Sequence, residues 1–255
     1  RDTVRSLGVR DLRALHERAY HPGQMVVAAA GNVGHDQLLE VLERTGWMDV
    51  AGGDRTALPT VTPVPRSAES RHVTRDLSQT HIVFGSATVP YADPRRYTLS
   101  LVGMMLGGGM SSRLFQRVRE ELGLAYSVYT FQSFHLDAGV HGVYVATAPG
   151  TARAAADAIR EELAVLARDG LDESALAAAK SQYKGQVVLS LEGVSSRMYR
   201  AAEVDLYGVP YRAMDEVLAL VEAITLDDVA AVCGEFFGPD RQTVVSLGPG
   251  TEGAG

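Results

Sequence analysis

The residues able to hold a metal ion or act as a nucleophile are few, and their spacing suits neither task. None of the seven histidines belongs to a His-Glu-x-x-His or His-x-x-Glu-His arrangement, and Tyr20 stands where His16-Glu17 would need a second histidine. His135 and His141 flank a predicted hairpin turn, where we expect an exposed polar pair. The single cysteine, Cys233, lies in a predicted amphipathic helix, where a buried inert thiol is the usual outcome. The sequence therefore predicts neither a metal ligand set nor a catalytic nucleophile in this chain.

A glycine-rich segment, Gly107-Gly108-Gly109, precedes Met110-Ser111-Ser112 and a predicted helix. Free backbone N–H groups at a helix N-terminus can bind an anion. The segment matches neither the phosphate-binding loop nor the dinucleotide-binding pattern, and no Lys-Ser or Lys-Thr pair follows it. We therefore interpret it as a helix terminator and connector, with phosphate binding as the weaker interpretation.

Composition excludes several classes of protein. The chain has 255 residues, 46% hydrophobic and 22% charged, which is typical of one large globular domain or two smaller ones. Its 24 Lys and Arg against 31 Asp and Glu give a net charge of −7, the wrong sign for coating nucleic acid phosphates. No apolar run approaches the roughly 18 residues that span a bilayer, and residues 1–10 lack the apolar core of a signal peptide. We expect neither a nucleic acid nor a membrane partner.

The elements that must position any site are grouped by type along the chain. The beginning is predicted as a helix at 9–20, a short strand at 24–30 and a second helix around Leu38 to Leu42. Later strands are predicted at 71–76, 80–89, 125–134, 139–147 and 242–247, and later helices at 94–106, 111–122, 151–168, 172–191, 196–207, 211–223 and 226–237. Ser111 or Ser112 would cap the helix at 111–122. Because strands group with strands and helices with helices, the predicted class is α+β, with helices packed on a layered, largely antiparallel sheet.

The end of the chain repeats the pattern of its beginning. An amphipathic helix, a proline-containing turn and an apolar strand occur in both places, with Asp228 matching Asp11 and Pro239 matching Pro22. Chance similarity between two common helix-turn-strand units is the alternative explanation. A duplication predicts the end of an incomplete first domain at 1–50 and a second, homologous domain at 69–250. Residues 51–68, rich in Gly and Pro without periodic apolar residues, are predicted to be the linker.

The most specific pattern lies at residues 107–128, which read GGGMSSRLFQRVREELGLAYSV. This block strongly resembles the insulinase and pitrilysin superfamily of zinc metallopeptidases, in the branch that includes the mitochondrial processing peptidase. The segment from Tyr20 to Asn32 and the following linker extend the resemblance over essentially the whole chain. The resemblance implies two homologous α+β domains joined by a linker, which agrees with the internal repeat.

The resemblance also implies where the chemistry of the complete enzyme lies. Zinc would be held, and a nucleophilic hydroxide generated, by an inverted His-x-x-Glu-His motif and a later Glu in the first domain. Those positions would precede Arg1, so zinc is expected in the complete family enzyme and no zinc ligand in this chain. The family's second domain supplies an Arg and a Tyr, seven residues apart, that contact the substrate backbone, and Arg119 and Tyr126 occupy those places. Both are hydrogen-bond donors suited to substrate carbonyls, one in the last turn of its helix and one early in the next strand.

Two functions follow as alternatives. The leading one is the substrate-binding C-terminal portion of an insulinase-like zinc metalloendopeptidase, which hydrolyses peptide bonds only together with a zinc-bearing first domain or subunit. The other is a catalytically silent family member that acts as a peptide-binding or assembly subunit. The presence or absence of an upstream His-x-x-Glu-His motif separates them. Expected partners are an extended peptide or protein substrate and the zinc-bearing domain, in a homo- or heterodimer. The sequence leaves the cellular compartment unknown: a cytoplasmic location is favoured, and a targeting segment before Arg1 stays open.

Overall fold

The computed structural model describes residues 2–50 and 68–250. Their contacts divide them into two compact units: residues up to 50 group with Leu189–Tyr211, and residues from 68 to Val188 group with those from Arg212 to 250. The domain predicted at 69–250 includes Leu189–Tyr211, and its bounds stay a prediction. Within the first unit, the Val194 side chain lies 3.5 Å from where a Cβ would stand at Gly31. The predicted linker, apart from residue 68, lies outside the described residues.

The first unit is helical. It contains α1 (Asp2–Ser6), α2 (Val9–Ala19), α3 (His35–Arg44) and, from later in the chain, α7 (Val194–Leu206). The strand predicted at 24–30 is wrong. Residues Pro22–Gln24 form a 3₁₀ turn, and the extended residues after it belong to no strand, since no described segment pairs with them.

The second unit is built on a five-stranded sheet, which confirms the predicted α+β class. Its strands are β1 (Ser70–Thr74), β2 (Thr80–Thr88), β3 (Ala125–Phe134), β4 (Gly139–Thr147) and β5 (Thr243–Gly248). Their order across the sheet is β1-β5-β2-β4-β3. All neighbouring pairs are antiparallel except β1 and β5, which run parallel. The sheet is therefore largely antiparallel, with β1 and β3 at its two edges.

Three helices pack on one face of this sheet: α4 (Arg96–Gly107), α5 (Ala152–Asp169) and α9 (Leu226–Phe236). The second unit also contains most of α6 (Glu173–Ser190) and α8 (Met214–Glu222), which contacts α4. In β2, Ile82 and Phe84 point into the core, while Val83 between them is only partly buried. Leu99 and Leu106 of α4 and Leu163 of α5 are fully buried in the same core. The period-2 alternation of β2 thus places one face of the strand under the helices and leaves the other more open.

The two copies of the repeat share local structure. Helix α9 is followed by a 3₁₀ turn that begins at Pro239, as α2 is followed by one that begins at Pro22. The first turn is closed in the same way in both helices: the Thr225 amide donates to Asp228 Oδ2 (2.8 Å), and the Gly8 amide to Asp11 Oδ2 (2.9 Å). The copies differ at the N-cap, where Thr225 Oγ1 accepts from the Asp228 amide and Gly8 has no side chain. They differ again after the turn, where β5 is a strand and residues 25–30 are not.

Candidate functional site

The glycine-rich segment ends α4 against β3. A Cβ at Gly107 would lie 2.7 Å from the backbone nitrogen of Thr130, so the helix approaches the strand more closely than a side chain allows. The Thr130 hydroxyl secures this contact by donating to the Gly103 carbonyl (2.7 Å). The Gly108 amide donates to the Met104 carbonyl, and the Ser112 amide just after the segment donates to the Gly109 carbonyl, so neither is free to bind an anion. This arrangement favours the structural interpretation of Gly107, Gly108 and Gly109.

Gly107→Ala is expected to destabilise the chain, whereas Gly109→Ala should be nearly neutral. The added methyl at Gly107 meets strand backbone, which cannot move aside, and overpacking of this kind costs about 1–3 kcal/mol. Nothing lies within 4 Å of a Cβ at Gly109, so we expect a change of about 0.5 kcal/mol or less. Urea unfolding of both variants measures the difference. Equal stability of the two would contradict the close approach of α4 to β3.

The helix predicted at 111–122 forms with a different geometry. After a short helical start at Arg113, residues Phe115–Glu121 are a π-helix, in which the Leu122 amide donates to the Arg117 carbonyl five residues earlier (3.2 Å). Neither serine caps it as predicted: the residue before the π-helix is Leu114, no side chain caps its first turn, and the Ser112 hydroxyl donates back to the Gly109 carbonyl. π-Helical turns are rare and occur frequently at functional sites.

Arg119 lies in this π-helix, and the chain then reverses at Gly123. Val118 is fully buried and anchors the helix on the core, while the Arg119 side chain is 35% exposed. Gly123 has φ of +61°, in the left-handed region that favours glycine. The Leu124 amide donates to the Val118 carbonyl (2.9 Å), which closes the turn into β3. The turn therefore brings the start of β3 beside the helix that carries Arg119.

Tyr126 is the extra residue of a β-bulge. Ala125 pairs with Thr147 and Ser127 pairs with Ala146, so two consecutive partners in β4 face three residues of β3. A bulge of this kind redirects a side chain relative to a regular strand. Tyr126 is 79% exposed, the highest value among the exposed large hydrophobic side chains described.

The π-helix and the bulge bring Arg119 and Tyr126 together. The Arg119 Cζ lies 4.8 Å from the centroid of the Tyr126 ring and 4.6 Å from that of Phe115, so two aromatic rings orient the guanidinium. Its Nε lies 3.6 Å from Glu120 Oε1. Within residues 2–50 and 68–250, neither the Arg119 guanidinium nor the Tyr126 hydroxyl forms a hydrogen bond. Two oriented donors with unused N–H and O–H groups can bind the carbonyl oxygens of an extended peptide.

The histidine pair at the β3–β4 hairpin was predicted to be exposed, and this is wrong for one of the two. His135 is exposed, but His141 is completely buried, with its ring centroid 4.3 Å from that of Phe237. Neither ring nitrogen of His141 has a hydrogen-bond partner. Burial lowers the pKa of the His141 imidazole to about 4. His141 is therefore a neutral core residue.

The remaining candidate groups form no reactive centre in the described part of the chain. Cys233 is fully buried in α9, and burial raises the pKa of its thiol to about 12. Across residues 2–50 and 68–250, no three His, Cys, Asp or Glu side chains converge closely enough to hold a metal ion. None of the helices described there is long and apolar enough to cross a bilayer.

Comparison with known proteins connects this geometry to a family. Residues 6–183 match the family model described as "Peptidase M16 inactive domain". The chain is 34% identical over 253 residues to an uncharacterized zinc protease of Streptomyces coelicolor, which covers 97% of this chain and 55% of that protein. It is 37% identical over 240 residues to an uncharacterized zinc protease of Mycobacterium bovis, covering 93% of this chain and 55% of that protein. The chain thus spans about half the length of the curated relatives it matches.

The fold agrees with the sequence match. The crystal structure of a peptidase M16 inactive domain from Pseudomonas fluorescens superposes with a TM-score of 0.87, at 22% sequence identity, over 98% of this chain and 60% of that one. The predicted resemblance to the insulinase and pitrilysin superfamily is thereby confirmed. A match that runs through both the π-helix of Arg119 and the bulge of Tyr126, in a chain without the zinc motif, leads to one assignment: the chain belongs to the peptidase M16 family, as its inactive domain.

Proposed function

We propose that this chain is the substrate-binding C-terminal portion of an M16 zinc metalloendopeptidase of the processing-peptidase-like branch. It acts on peptide bonds only together with a zinc-bearing first domain or subunit. The observation that carries the proposal is the stacked pair of Arg119 and Tyr126, whose hydrogen-bond donors are unused within the described chain. The names of the relatives, which are zinc proteases about twice as long as the matched segment, support it.

Arg119 and Tyr126 would act by holding the substrate backbone. The guanidinium offers several N–H donors in a fixed plane, and the phenol offers one O–H donor. Donors already oriented toward a peptide carbonyl stabilise the negative charge that develops on its oxygen during hydrolysis. Contact with the Phe115 and Tyr126 rings restricts the Arg119 guanidinium before substrate binds, which lowers the entropic cost of binding.

The position of Tyr126 on an edge strand suits an extended substrate. Strand β3 pairs with β4 on one side and ends the sheet on the other. An exposed edge has backbone N–H and C=O groups that can pair with an added peptide strand. A peptide lying along β3 would pass beside both donors.

Zinc does not fit the residues of this chain. Its ligands are usually four, or three in a catalytic site, drawn from His, Cys, Asp and Glu, and the described residues provide no such group. Residues 51–67 and 251–255 contain no His or Cys. In the proposed division of roles, the other half of the complete enzyme holds the metal.

The purified chain is expected to retain no stoichiometric zinc after dialysis against a weak chelator. Elemental analysis of the dialysed protein makes the measurement, and the complete protein, expected to keep its zinc, is the positive control. One tightly bound zinc per chain, held by side chains of these 255 residues, would refute the proposed division of roles.

Peptidase activity tests the proposed function directly. The complete protein should cleave unstructured peptides, and the 255-residue chain alone should cleave none. The sequence upstream of Arg1 should contain His-x-x-Glu-His. Its absence, with no cleavage by the complete protein, would favour a catalytically silent subunit.

A further inference from the structure

Residues 113–121, which are the π-helix and its short helical start, present side chains in three directions. Toward the core, Leu114 and Val118 are fully buried. Toward the candidate site, Arg119 lies against the rings of Phe115 and Tyr126. Toward α5, two guanidinium groups four residues apart reach carboxylates of that helix: those of Arg113 and Arg117. Because one helix carries all three sets of side chains, a rotation of the helix about its axis moves all of them together.

The N-terminal end of this helix follows a loosely packed loop. Met110 is 76% exposed, and no described atom lies within 4 Å of where a Cβ would stand at Gly109. The Gln116 side chain donates to the Met110 carbonyl (2.7 Å), which ties the loop to the helix itself. Burial of Leu114 and Val118 keeps the helix on the core, but apolar burial is non-directional and does not fix a rotation sharply. Polar contacts with a neighbouring element are needed for that.

Helix α5 provides such a contact through Glu162. The Arg113 Nε donates to Glu162 Oε2 (3.0 Å), and the two side chains are only 30% and 16% exposed. The next residue of α5, Leu163, is fully buried, so the backbone that carries Glu162 is held in the core. A hydrogen bond between two charged groups is short and directional, and partial burial reduces its screening by salt. The pair therefore joins the N-terminal end of the π-helix to a fixed point.

The second ion pair between the two helices is weaker. Arg117 lies 4.0 Å from Glu161 Oε2, and the Glu161 side chain is 67% exposed. The closer partner of Arg117 is Glu121, which belongs to the same helix (2.9 Å). Exposed pairs of this kind contribute little. The orientation of the π-helix relative to α5 therefore depends mainly on Arg113 and Glu162.

We propose that Glu162 is a positioning residue for Arg119. By binding Arg113, it sets the rotation of the π-helix and so places the Arg119 guanidinium over the Tyr126 ring. The inference rests on the proposed function, in which these two side chains hold the substrate backbone. Without the ion pair, the helix stays on the core but rotates more freely, and the 4.8 Å contact between Arg119 Cζ and the ring centroid is formed for less of the time.

Fluorine NMR of the complete protein tests the inference without any need for cleavage. 3-Fluorotyrosine is incorporated at position 126 alone, because the chemical shift of its fluorine responds to a charged group over the ring. The resonance in Arg119→Ala marks a ring without its guanidinium. We expect Glu162→Ala to move the resonance at least halfway from its unsubstituted position toward that marker. Glu161→Ala, which removes the neighbouring exposed carboxylate, is the matched control and should leave the resonance in place.

Arg113→Met removes the other member of the pair and should move the resonance as Glu162→Ala does. The double variant should move it no further, because the two side chains form one contact. Circular dichroism checks that each variant is folded, and Ala at position 162 is compatible with a helix. Resonances of Glu162→Ala and Arg113→Met that coincide with that of the unsubstituted protein would overturn the inference. Identical resonances in the unsubstituted protein and Arg119→Ala would overturn it too, since no guanidinium would then lie over the ring.

Cleavage kinetics report the proposed function separately. In the zinc-loaded protein, Glu162→Ala should lower kcat/KM roughly tenfold, because a small misplacement of a substrate-positioning group is costly. It should cause no further loss in Arg119→Ala. An equal loss in both backgrounds would show that Glu162 acts by another route and would overturn the inference. Absence of cleavage by every form would refute the proposed function alone, because the fluorine resonances decide the inference without it.

Discussion

Arg119→Ala and Tyr126→Phe in the complete enzyme should each lower kcat/KM for peptide cleavage by roughly a hundredfold or more, a loss of about 3 kcal/mol of transition-state stabilisation. Each change removes a donor and leaves the π-helix and β3 intact. Both side chains lie outside the buried core, so the free energy of unfolding should change by about 0.5 kcal/mol or less. Steady-state kinetics and thermal melts on the same preparations separate the two effects.

Arg117→Ala is the matched control for this experiment. Arg117 lies two residues before Arg119 on the same π-helix, but its guanidinium forms an ion pair with Glu121 (2.9 Å) and contacts neither aromatic ring of the site. Its removal should leave cleavage unchanged. Arg119→Lys should also be impaired, because an ammonium group lacks the planar fork that stacks between Phe115 and Tyr126. Near-normal cleavage by both Arg119→Ala and Tyr126→Phe would mean that the two residues are structural.

Acidification should destabilise the chain through His141. In the folded chain the pKa of His141 is lowered to about 4, whereas in the unfolded chain it has its usual value of 6.5. Between pH 6.5 and 4, the unfolded chain therefore binds a proton more readily than the folded chain does. The neutral His141 imidazole makes its full contribution to the free energy of unfolding above about pH 6.5, and this contribution is lost as the pH falls toward 4. A shift of this size corresponds to about 3 kcal/mol of unfolding free energy.

Unfolding in urea at a series of pH values, with His141→Phe for comparison, measures this contribution. The variant fills a similar volume and loses no hydrogen bond, since neither nitrogen of His141 has a partner. Its stability should therefore be nearly constant between pH 6.5 and 4.5, where the unsubstituted chain weakens. His135→Asn, in the exposed hairpin turn, should behave as the unsubstituted chain. A parallel decline in all three proteins would show that other groups cause the acid sensitivity.

The parts of the fold that depend on local pattern could be predicted from the sequence. Strands β3 and β4 begin and end where alternation and glycine indicated, and α2 and α9 lie within a residue of their predicted ranges. The sequence could not show which face of β4 lies in the core. His141, Val143 and Val145 share one face, and the residues on the other face are also largely apolar. Only the pairing of β4 with β2 and β3 decides which set is buried. His141 was therefore assigned to the surface when it lies in the core.

The sequence predicted where the candidate site residues lie along the chain, but not the geometry that brings them together. The sequence placed Arg119 near a helix end and Tyr126 near a strand start, and those positions are as expected. Neither the π-helix nor the bulge has a sequence signature, because each depends on how the segment accommodates the burial of Leu114 and Val118 and the pairing of β4. The substrate-binding role of the two residues stays a prediction.

Because Tyr126 is the extra residue of the bulge, the proposed site depends on one residue in the length of β3. Deleting the single codon for Tyr126 would make Ala125 and Ser127 adjacent, opposite their present partners Thr147 and Ala146, and the ladder would become regular. The core would lose nothing, since Tyr126 is outside it. An in-frame deletion of three nucleotides would thus produce a folded protein without the phenol and without a ring for Arg119 to stack on. If the proposed function holds, one deleted residue therefore converts a peptide-binding domain into a silent one without an unstable intermediate.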